Sequence, residues 1–562
     1  MAESPIERFL GGSWRGPLLA AAVALLAAVP GLIAIPVLDR DEARFAQSTA
    51  QMLETGDFVS INFQDAPRSK KPVGIHWLQA LSVAAASSVE TRHIWAYRIP
   101  SLLGAMAAAA ACAWGASAFF GRAGGAVAGA LLGASLILST EGFIAKTDAA
   151  LCGAITLMMA ALARIYASSK DEVIAGAGTR TLFWAGMAVS ILLKGPIGPM
   201  VAGLALLSLW AWDRKADWMA GLGWTWGVAL VLLVVGPWAW AITVTTDGGF
   251  WTGAVVGDML SKIGGGQESH GAPPGLHTLL APLLLFPGTV LLPGALVLGW
   301  RARAKTGVRF ALCWLAPAWI VFELTPTKLP HYPLPLYGAL AWLMAAALQQ
   351  PIGRISRITG AALGGLMGLL LAATGVILAL RYGGPSSLAW AIAAAVVLVA
   401  AATAGVVLIL FRRTSFVTLG VALGLGVLGH DALAAGLAPS LQPLWLSNRT
   451  AEAVKRAGLD PRNGVTPGPV SVAGYGEPSI AFLLGTRTEL GTGEVAAAAI
   501  SEGRPALVER HEMPEFQEAL KAQEARAALA GEVKGIDYSK GKPVDLFLYR
   551  SLESGDQPGD QR

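Results

Sequence analysis

The sequence predicts a polytopic α-helical membrane protein with a small α/β domain at its C-terminal end. Three properties of its 562 residues indicate the membrane class: a mean hydropathy of +0.55, a hydrophobic fraction of 54% and a charged fraction of only 14%. Soluble proteins carry roughly a quarter charged residues, so this depletion of charge points to the bilayer. The 19 tryptophans, many of them near the ends of apolar runs, suit the membrane–water interface.

Apolar segments of about 20 residues, the length that crosses a bilayer, recur along the chain. We expect about thirteen, at 17–38, 94–120, 123–140, 147–167, 180–193, 196–212, 219–245, 276–300, 308–324, 331–349, 356–380, 388–411 and 415–438. The first follows Arg8 and Arg15 and is predicted to be an uncleaved helix rather than a removed signal peptide. The pair around Lys194 could instead be one long element kinked by the prolines of "LLKGPIGPM".

Basic residues predict the orientation of these spans, because they fall on every second loop. The basic loops contain Arg122, Arg164, Lys170, Arg180, Arg214, Lys215, Arg301, Arg303, Lys305, Arg309, Arg354, Arg357, Arg412 and Arg413. The positive-inside rule then places the N-terminus in the cytoplasm, and an odd number of spans places the C-terminal domain outside. The net charge of +5 has the same cause, so it does not indicate a nucleic-acid partner.

The predicted membrane domain covers 1–438 and carries a long external loop at 39–93. Two segments of that loop are predicted to be interfacial helices. The first, Glu42–Glu54, places apolar residues at helical spacing and should stop at Gly56. The second starts near Pro72 and is apolar to about Ala86, which is too short for a span.

The predicted C-terminal domain covers 439–562 and ends in a polar tail after Leu552. Its pattern predicts a strand and a helix in "GPVSVAGYGEPSIAFLL", a strand in "RPALVER" and a helix in "MPEFQEALKAQEARAAL". Two further strands are predicted in "GEVKGIDY" and "PVDLFLYR".

Three lysines beside prolines lie at turns on the external side: Lys71 in "KKPVG", Lys194 in "LKGPIG" and Lys328 in "TKLPHYPLP". Each lysine alone is explained by snorkelling to the interface. Together, at rigid turns and opposite Asp41 and Asp148, they predict a site for an anionic head group, for which phosphate is the obvious candidate. A carboxylate among cations stays ionised and can accept a proton.

Several of the external polar residues have simpler explanations. Asp39 or Asp41 could be the N-cap of the helix that follows. Arg44 could pair only with Glu42 or Asp41, and His331 could be an ordinary interfacial histidine. Glu323 is harder to explain in this way, because a carboxylate near hydrocarbon is costly unless it lines a cavity.

The motifs resemble those of a known family. "DEARFAQSTAQMLETGDF", "KKPVGIHWLQ", "LLKGPIG", "GPWAW" and "TKLPHYPLP" are similar to the GT-C membrane glycosyltransferases. The most similar branch is the 4-amino-4-deoxy-L-arabinose lipid A transferases, and the protein O-mannosyltransferases are more distant. The thirteen spans and an external C-terminal domain fit that branch.

The resemblance implies roles for individual residues. Asp41 matches the catalytic carboxylate, and Lys71 matches the lysine that holds the phosphate of a polyprenyl (undecaprenyl) phosphate-sugar donor. Lys194 and Lys328 match motifs that line the same cavity and would assist with the phosphate. Asp148 matches a second acidic position that is structural or acceptor-binding. Glu42, Arg44, His331 and Tyr332 are candidates for support of the acceptor or the site.

Two departures from the family bear on cofactors. Lys70 stands where the family often has glutamate, and only Pro72 follows Lys71 where two prolines are usual. The departure at Lys70 therefore does not support a divalent metal that would use that glutamate, although a divalent metal stays open as an alternative; no other cofactor is predicted. The cysteines Cys112, Cys152 and Cys313 all lie in apolar runs and are predicted to be core residues rather than metal ligands.

The predicted function is an inverting transfer of a sugar from the lipid donor to an envelope acceptor, with Asp41 as the base and Lys71 stabilising the leaving phosphate. The implied location is the bacterial inner membrane, with the active site and C-terminal domain periplasmic. Lipid A is the favoured acceptor, and another envelope glycan, a polysaccharide or a protein remains open. The alternatives are a transporter or flippase of lipid-linked sugars, which predicts charges near mid-membrane, and a non-catalytic scaffold.

Overall fold

The computed structural model describes residues 12–260, 271–411, 416–463 and 468–552. Three of the predicted basic residues (Arg8, Arg412 and Arg413) and the predicted polar tail lie outside the described residues. The helices of the membrane part are Arg15–Ala34, Ile94–Gly133, Leu136–Gly142, Asp148–Ser168, Ala177–Lys194, Ile197–Asp213, Trp224–Thr245, Leu276–Leu284, Leu292–Arg301, Thr306–Leu324, Tyr337–Leu348, Arg354–Tyr382, Pro385–Leu410 and Phe416–Asp431. Short 3₁₀ segments, Gly288–Leu291 and Leu334–Leu336, and π-helical segments, Thr252–Leu260 and Ala432–Leu437, continue some of them.

Most of the thirteen predicted segments correspond to helices that are long and apolar enough to cross a membrane. Within the described residues, eight helices are long and apolar enough to cross a membrane, and a bent pair makes a ninth. That pair, Leu276–Leu284 with Gly288–Arg301, bends by 117°, so the predicted single span at 276–300 is a broken element. The other predicted segments are also helical, but Ile197–Asp213 and Leu334–Leu348 are too short to count.

The chain turns back on itself within the continuous stretch Ile94–Gly133. Gly121 has a φ of 71°, in the region that favours glycine, and interrupts the helical backbone there. Gly125 and Gly129 then pack against the backbone carbonyls of Ala113 and Ala109, so the two arms run antiparallel. The predicted separate segments at 94–120 and 123–140 correspond to these arms.

Both helices predicted in the loop 39–93 are present. The first, Asp41–Thr55, buries Phe45 and ends at Gly56, whose φ of 73° gives a left-handed C-cap. The second, Gly74–Ala86, packs against the first through Thr49, whose hydroxyl donates to Oε1 of Gln79 at 2.7 Å. A small antiparallel hairpin of β1 (Asn62–Phe63) and β2 (Ala66–Pro67) lies between them.

The C-terminal domain contains a five-stranded mixed sheet in the order β4-β3-β5-β7-β6. The strands are β3 (Ser471–Ala473), β4 (Glu489–Gly491), β5 (Ala506–Glu509), β6 (Ala527–Asp537) and β7 (Lys542–Ser551). β3 pairs in parallel with β4 and β5, whereas β7 is antiparallel to β5 and β6. The helices are Leu446–Arg456, Pro478–Leu484, Gly493–Ser501 and Met513–Ala522.

The prediction for this domain was wrong at one boundary and incomplete at three elements. The helix that begins at Met513 ends at Ala522, because the alanines from Ala527 pair with β7 as part of β6. Tertiary pairing there overrides the helix propensity of alanine. No element was predicted at β4 or at the helices Leu446–Arg456 and Gly493–Ser501. A three-residue strand such as β4 has too little alternation to be recognised.

Glu323 caps a helix. Its carboxylate accepts hydrogen bonds from the backbone N–H groups of Gly275 and Thr278, both at 2.8 Å, and from the Thr278 hydroxyl at 2.8 Å. These donors lie at the start of Leu276–Leu284, where the helix dipole favours an anion. The buried carboxylate therefore has a structural explanation.

Candidate active site

Asp41 is the first residue of its helix, and its side chain does not cap that helix. The N-cap is Arg40, and no side chain makes a cap hydrogen bond there. The sequence interpretation of Asp39 or Asp41 as the N-cap is therefore wrong. The Asp41 carboxylate is 46% exposed, and Nη2 of Arg68 lies 3.9 Å from its Oδ1. Its exposure makes it accessible to a substrate.

Two cations lie over the aromatic ring of Phe45, one turn beyond Asp41. The Arg68 guanidinium is 4.6 Å and the Lys71 ammonium 4.9 Å from the ring centroid. Both distances are within the range of cation–π attraction. Among the described residues the Lys71 ammonium has no hydrogen-bond partner and no carboxylate within 4.0 Å, so it is available to bind an external anion.

The pKa values of these two groups reflect burial and their mutual attraction. Burial alone would raise the pKa of Asp41, but Lys71, Arg68 and Lys146 together hold it below its ordinary value. Burial, followed by repulsion from Lys194, lowers the pKa of Lys71 to about 8. At neutral pH the site therefore contains an ionised carboxylate beside a charged lysine.

A second layer of charged groups surrounds Asp148. Its Oδ1 accepts a hydrogen bond from the Lys194 ammonium at 2.5 Å, and its Oδ2 lies 3.9 Å from the Lys146 ammonium. The Lys146 ammonium also lies 3.0 Å from Oε2 of Glu141. Lys194, at the C-terminus of its helix, further approaches the ring of Tyr332 to 5.1 Å. Lys194 is thus paired, in contrast to Lys71.

His331 lies between the two carboxylates of this layer. Its Nδ1 is 3.5 Å from Glu141 and its Nε2 is 3.6 Å from Asp148. Burial lowers the pKa of His331 well below its ordinary value, and the attraction of Asp148 does not compensate for it. Burial therefore favours the neutral form of His331, which lies between the two carboxylates as a polar group.

The trio Glu141, Asp148 and His331 has the residue types of a metal site. One ligand atom from each lies within 4.8 Å of the others. However, the Lys146 ammonium is 3.0 Å from Glu141 and 3.3 Å from Nδ1 of His331, so a cation would have to displace it. The arrangement fits an internal ion-pair network better than a metal centre, and no step below depends on a metal.

Glu42 supports the site from beneath and has no exposed surface. Its carboxylate forms a bidentate pair with Arg98 and accepts hydrogen bonds from the backbone N–H groups of Leu38 and Ala145, both at 2.8 Å. Arg98 in turn donates to the carbonyl oxygens of residues 32, 35 and 36 at the end of the first span. This one ion pair joins the Asp41 helix, the first span and the loop that carries Lys146.

Two predicted site residues lie apart from this cluster. The Lys328 ammonium donates to the carbonyl oxygens of Ala272 at 3.1 Å and Thr325 at 2.5 Å, and among the described residues no hydrogen bond or ion pair joins it to the cluster. The Arg44 side chain has no hydrogen-bond or ion-pair partner in the same parts of the chain, so it does not pair with Glu42 or Asp41. The structure thus brings Lys71 and Lys194 to Asp41 and Asp148, but not Lys328.

Four residues of the cluster were absent from the candidates chosen on sequence. Arg68 precedes the lysine pair in "PRSKKP", and three cations in four residues is itself an anion-site signal. Glu141, like Glu323, is an acidic residue within an apolar run, and Lys146 lies on the same loop as Asp148. Arg98 carried no sequence signal, because an arginine near the start of a span is ordinarily interfacial.

Comparison with known proteins gives relatives over part of the chain. The undecaprenyl phosphate-α-4-amino-4-deoxy-L-arabinose arabinosyl transferase of Pseudomonas paraeruginosa is 29% identical over 313 residues, which is 55% of each chain. The transferase of the same name from Yersinia pestis is 28% identical over 309 residues, 54% of each chain. The chain thus matches about half the length of these curated relatives. No protein-family model matches it.

The similarity to solved structures covers nearly the whole chain. The crystal structure of ArnT from Cupriavidus metallidurans bound to undecaprenyl phosphate superposes with a TM-score of 0.76 at 17% identity, over 96% of this chain and 99% of that one. The oligosaccharyltransferase of Archaeoglobus fulgidus gives a TM-score of 0.51 at 10% identity, over 90% and 70%. The predicted fold, a GT-C type polytopic membrane protein with a small C-terminal sheet domain, is confirmed, as is the resemblance to the aminoarabinose transferases.

Proposed function

We propose that this protein is a membrane glycosyltransferase that moves a sugar from a polyprenyl-phosphate donor to an acceptor in the bacterial envelope. The observation that carries the proposal is the presence, in one site, of an accessible and ionised Asp41 and of the Lys71 ammonium, which lies over the Phe45 ring without an ion-pair partner within 4.0 Å among the described residues. A carboxylate that can receive a proton and a cation that can receive a phosphate are the two groups that such a transfer requires.

The donor side of the site is formed by Lys71 and Arg68. Both cations lie over Phe45, so an incoming phosphate would meet two positive charges held at a fixed height above one ring. Lys194 and Lys146 form ion pairs with Asp148 and Glu141, so they contribute to the electrostatic potential of the site rather than bind the phosphate directly. This division favours a single phosphate group as the leaving group.

The proposed reaction is an inverting displacement at the anomeric carbon. An acceptor oxygen attacks C1 of the sugar, its proton passes to Asp41, and the bond between C1 and the phosphate oxygen breaks. The electron pair leaves with the polyprenyl phosphate, whose charge Lys71 and Arg68 stabilise. A phosphate leaving group needs little protonation, so one carboxylate suffices where glycoside hydrolysis generally uses two.

The donor and acceptor are proposed from the relatives. Their names specify undecaprenyl phosphate-linked 4-amino-4-deoxy-L-arabinose, and the structurally similar ArnT binds undecaprenyl phosphate. We favour the same lipid carrier and lipid A as the acceptor, with the protein in the inner membrane and the site facing the periplasm.

Mass spectrometry of lipid A and total envelope glycolipids tests the proposal directly. The cells to compare are the wild type, the gene deletion and deletions complemented with Asp41→Asn or Asp65→Asn. Asp65 is an exposed carboxylate of the same external loop, so its variant is the matched control. We expect a mass increment of one sugar to disappear in the deletion and in Asp41→Asn and to remain in Asp65→Asn.

Two results of that experiment would contradict the proposal. Asp41→Asn cells that keep the increment would show that Asp41 is not the base. A lipid profile unaffected by the deletion would exclude lipid acceptors and favour a protein or polysaccharide acceptor, or a flippase. The charged groups described here gather at one end of the spans rather than at mid-membrane, which favours the transferase over the flippase.

A further inference from the structure

The two residues immediately before Asp41 are held by the C-terminal domain. The backbone N–H of Asp39 donates to the hydroxyl of Tyr538 at 2.7 Å, and the Asp39 carboxylate accepts a hydrogen bond from Ser479. The Arg40 guanidinium donates to the carbonyl oxygen of Ser539 at 3.1 Å. Tyr538 and Ser539 lie at the tip of the hairpin between β6 and β7, about 500 residues away in sequence but in direct contact here.

The backbone between these contacts has an unfavourable conformation. Arg40 has φ 61° and ψ −106°, outside the regions that residues with a side chain ordinarily occupy. Such a conformation persists only where the surrounding structure imposes it. Here Asp39 and the Arg40 side chain are both fixed by the C-terminal domain, and the next residue along the chain is Asp41.

The same domain also contacts the middle of the Asp41 helix. The side-chain amide of Gln47 donates to the Thr486 hydroxyl at 2.7 Å, and Arg92 donates to both Gln47 and Thr486 at 2.7 and 3.1 Å. The ring of Phe482 meets Tyr97 edge-on at 5.3 Å. The C-terminal domain therefore contacts the residues just before the helix, Asp39 and Arg40, and contacts the helix again about two turns later, at Gln47.

The hairpin tip is itself rigidly built. The carboxylate of Asp537 accepts hydrogen bonds from the backbone N–H groups of Ser539 and Lys540, at 3.1 and 3.2 Å, and from the Ser539 hydroxyl at 2.6 Å. The Lys540 ammonium lies 3.4 Å from Glu477 and 3.2 Å from Asp537. A tip fixed in this way can impose a conformation on a neighbouring loop rather than adapt to it.

We infer that Tyr538 and Ser479 are positioning residues: through Asp39 and Arg40 they fix the place of Asp41 relative to Lys71. The inference rests on the proposed function. It assigns the C-terminal domain a role in turnover, although none of the hydrogen bonds and ion pairs described here joins that domain to the Asp41 carboxylate itself. It also predicts that turnover and lipid binding respond differently to changes at the tip, because Lys71 lies on a different segment from the one that the tip holds.

The test compares variants that each remove one hydroxyl. Tyr538→Phe removes the acceptor for the Asp39 N–H, and Ser479→Ala removes the hydrogen bond to its carboxylate. Tyr549→Phe is the matched control, because its hydroxyl contacts Met513 within the domain and is remote from the loop. The purified full-length proteins are assayed for sugar transfer and for binding of undecaprenyl phosphate, the probe for the Lys71 side.

A misplacement of about 1 Å at a reacting group costs on the order of 100-fold in rate. We expect turnover to fall about 10- to 100-fold in Tyr538→Phe and Ser479→Ala, while the Kd for undecaprenyl phosphate changes less than about twofold. Tyr549→Phe should retain both. The separation of turnover from lipid binding is the readout, because a general loss of structure would weaken both.

Three outcomes would overturn the inference. Unchanged turnover in both variants would show that the tip does not position Asp41. A parallel loss of turnover and lipid binding, or an equal loss in Tyr549→Phe, would show that the domain acts only through overall stability. If the wild-type protein itself transfers no sugar, the proposed function fails and this inference fails with it. If the wild-type protein and both variants are all active, only this inference fails.

Discussion

Glu42 and Arg98 form a bidentate ion pair with no solvent exposure directly beneath the candidate active site. Nε and Nη2 of Arg98 donate to the two carboxylate oxygens of Glu42, each at 2.8 Å, and both side chains are 0% exposed. All of the further hydrogen bonds of this pair go to backbone groups, in the stretch 32–38 and at Ala145. The pair therefore determines how the Asp41 helix sits on the membrane helices.

Arg98→Ala should strongly destabilise the protein. Removal of one partner leaves the Glu42 charge buried without compensation, which costs about 3–5 kcal/mol. Arg510→Ala is the control, because its pair with Asp545 is largely exposed and exposed pairs contribute about 0–1 kcal/mol. Thermal unfolding in detergent measures both. An Arg98→Ala protein as stable as Arg510→Ala would contradict the structural role of the pair.

Binding of undecaprenyl phosphate should weaken as the pH rises above about 8. Burial and the nearby Lys194 lower the pKa of Lys71 to about 8, so the ammonium is charged below that pH and loses its proton above it. The second pKa of a phosphate monoester is about 6, so the ligand keeps its charge over the same range. The Kd is measured between pH 6.5 and 9.5, a range chosen to lie about 1.5 units on either side of the Lys71 value.

Two variants identify Lys71 as the source of that pH dependence. Lys71→Arg should bind with an affinity that stays constant to pH 9.5, because a guanidinium remains charged throughout. Lys71→Met should bind weakly at every pH. A wild-type Kd that does not change above pH 8, or a Lys71→Arg profile identical to it, would show that another group holds the phosphate.

Much of this site was predictable because local patterns specify it. Gly56 ends the Asp41 helix as its sequence position indicates, and the lysine-proline turns identified Lys71 and Lys194. The N-terminal turn of the Asp41 helix was recognised from its charges alone. These features depend on a few consecutive residues, so the sequence carries them directly.

What the sequence could not reveal depends on contacts between distant segments. Lys328 has the same local pattern as Lys71, but its ammonium is taken up by the carbonyl oxygens of Ala272 and Thr325. The hydrogen bond from the Asp39 backbone N–H to the Tyr538 hydroxyl joins residues 499 apart in the chain. Arg98 is distinguished from an ordinary interfacial arginine only by the buried Glu42 that it meets. Such partners follow from packing and not from periodicity.

Removal of divalent metal should not abolish activity. The three residues that could ligate a metal, Glu141, Asp148 and His331, already surround the Lys146 ammonium, which neutralises the carboxylates. We expect protein treated with EDTA and dialysed to transfer sugar at about the untreated rate. Lys146→Met is the informative variant, because it vacates that position. Loss of wild-type activity on chelation, restored by added metal, would overturn the ion-pair interpretation.

Gly104 should be intolerant of a larger side chain, because it lies where two helices beneath the site touch. A Cβ atom at Gly104 would meet the Cα of Ala150 at 2.4 Å, and one at Gly153 would meet the Gly104 carbonyl oxygen at 2.6 Å. The helix of Ala150 begins at Asp148, so forcing the helices apart also displaces Asp148 from Lys194.

We therefore expect Gly104→Val to lower both thermal stability and turnover, with a cost of about 1–3 kcal/mol or more for the overpacking. Gly365→Val is the matched control, since Gly365 is also in a membrane helix but has open space where the Cβ would lie. Thermal unfolding and sugar transfer are measured on both purified variants. Equal behaviour of the two would mean that the close helix contact does not hold Asp148 in place. A Gly104→Val protein that unfolds earlier but turns over normally would limit the contact to stability.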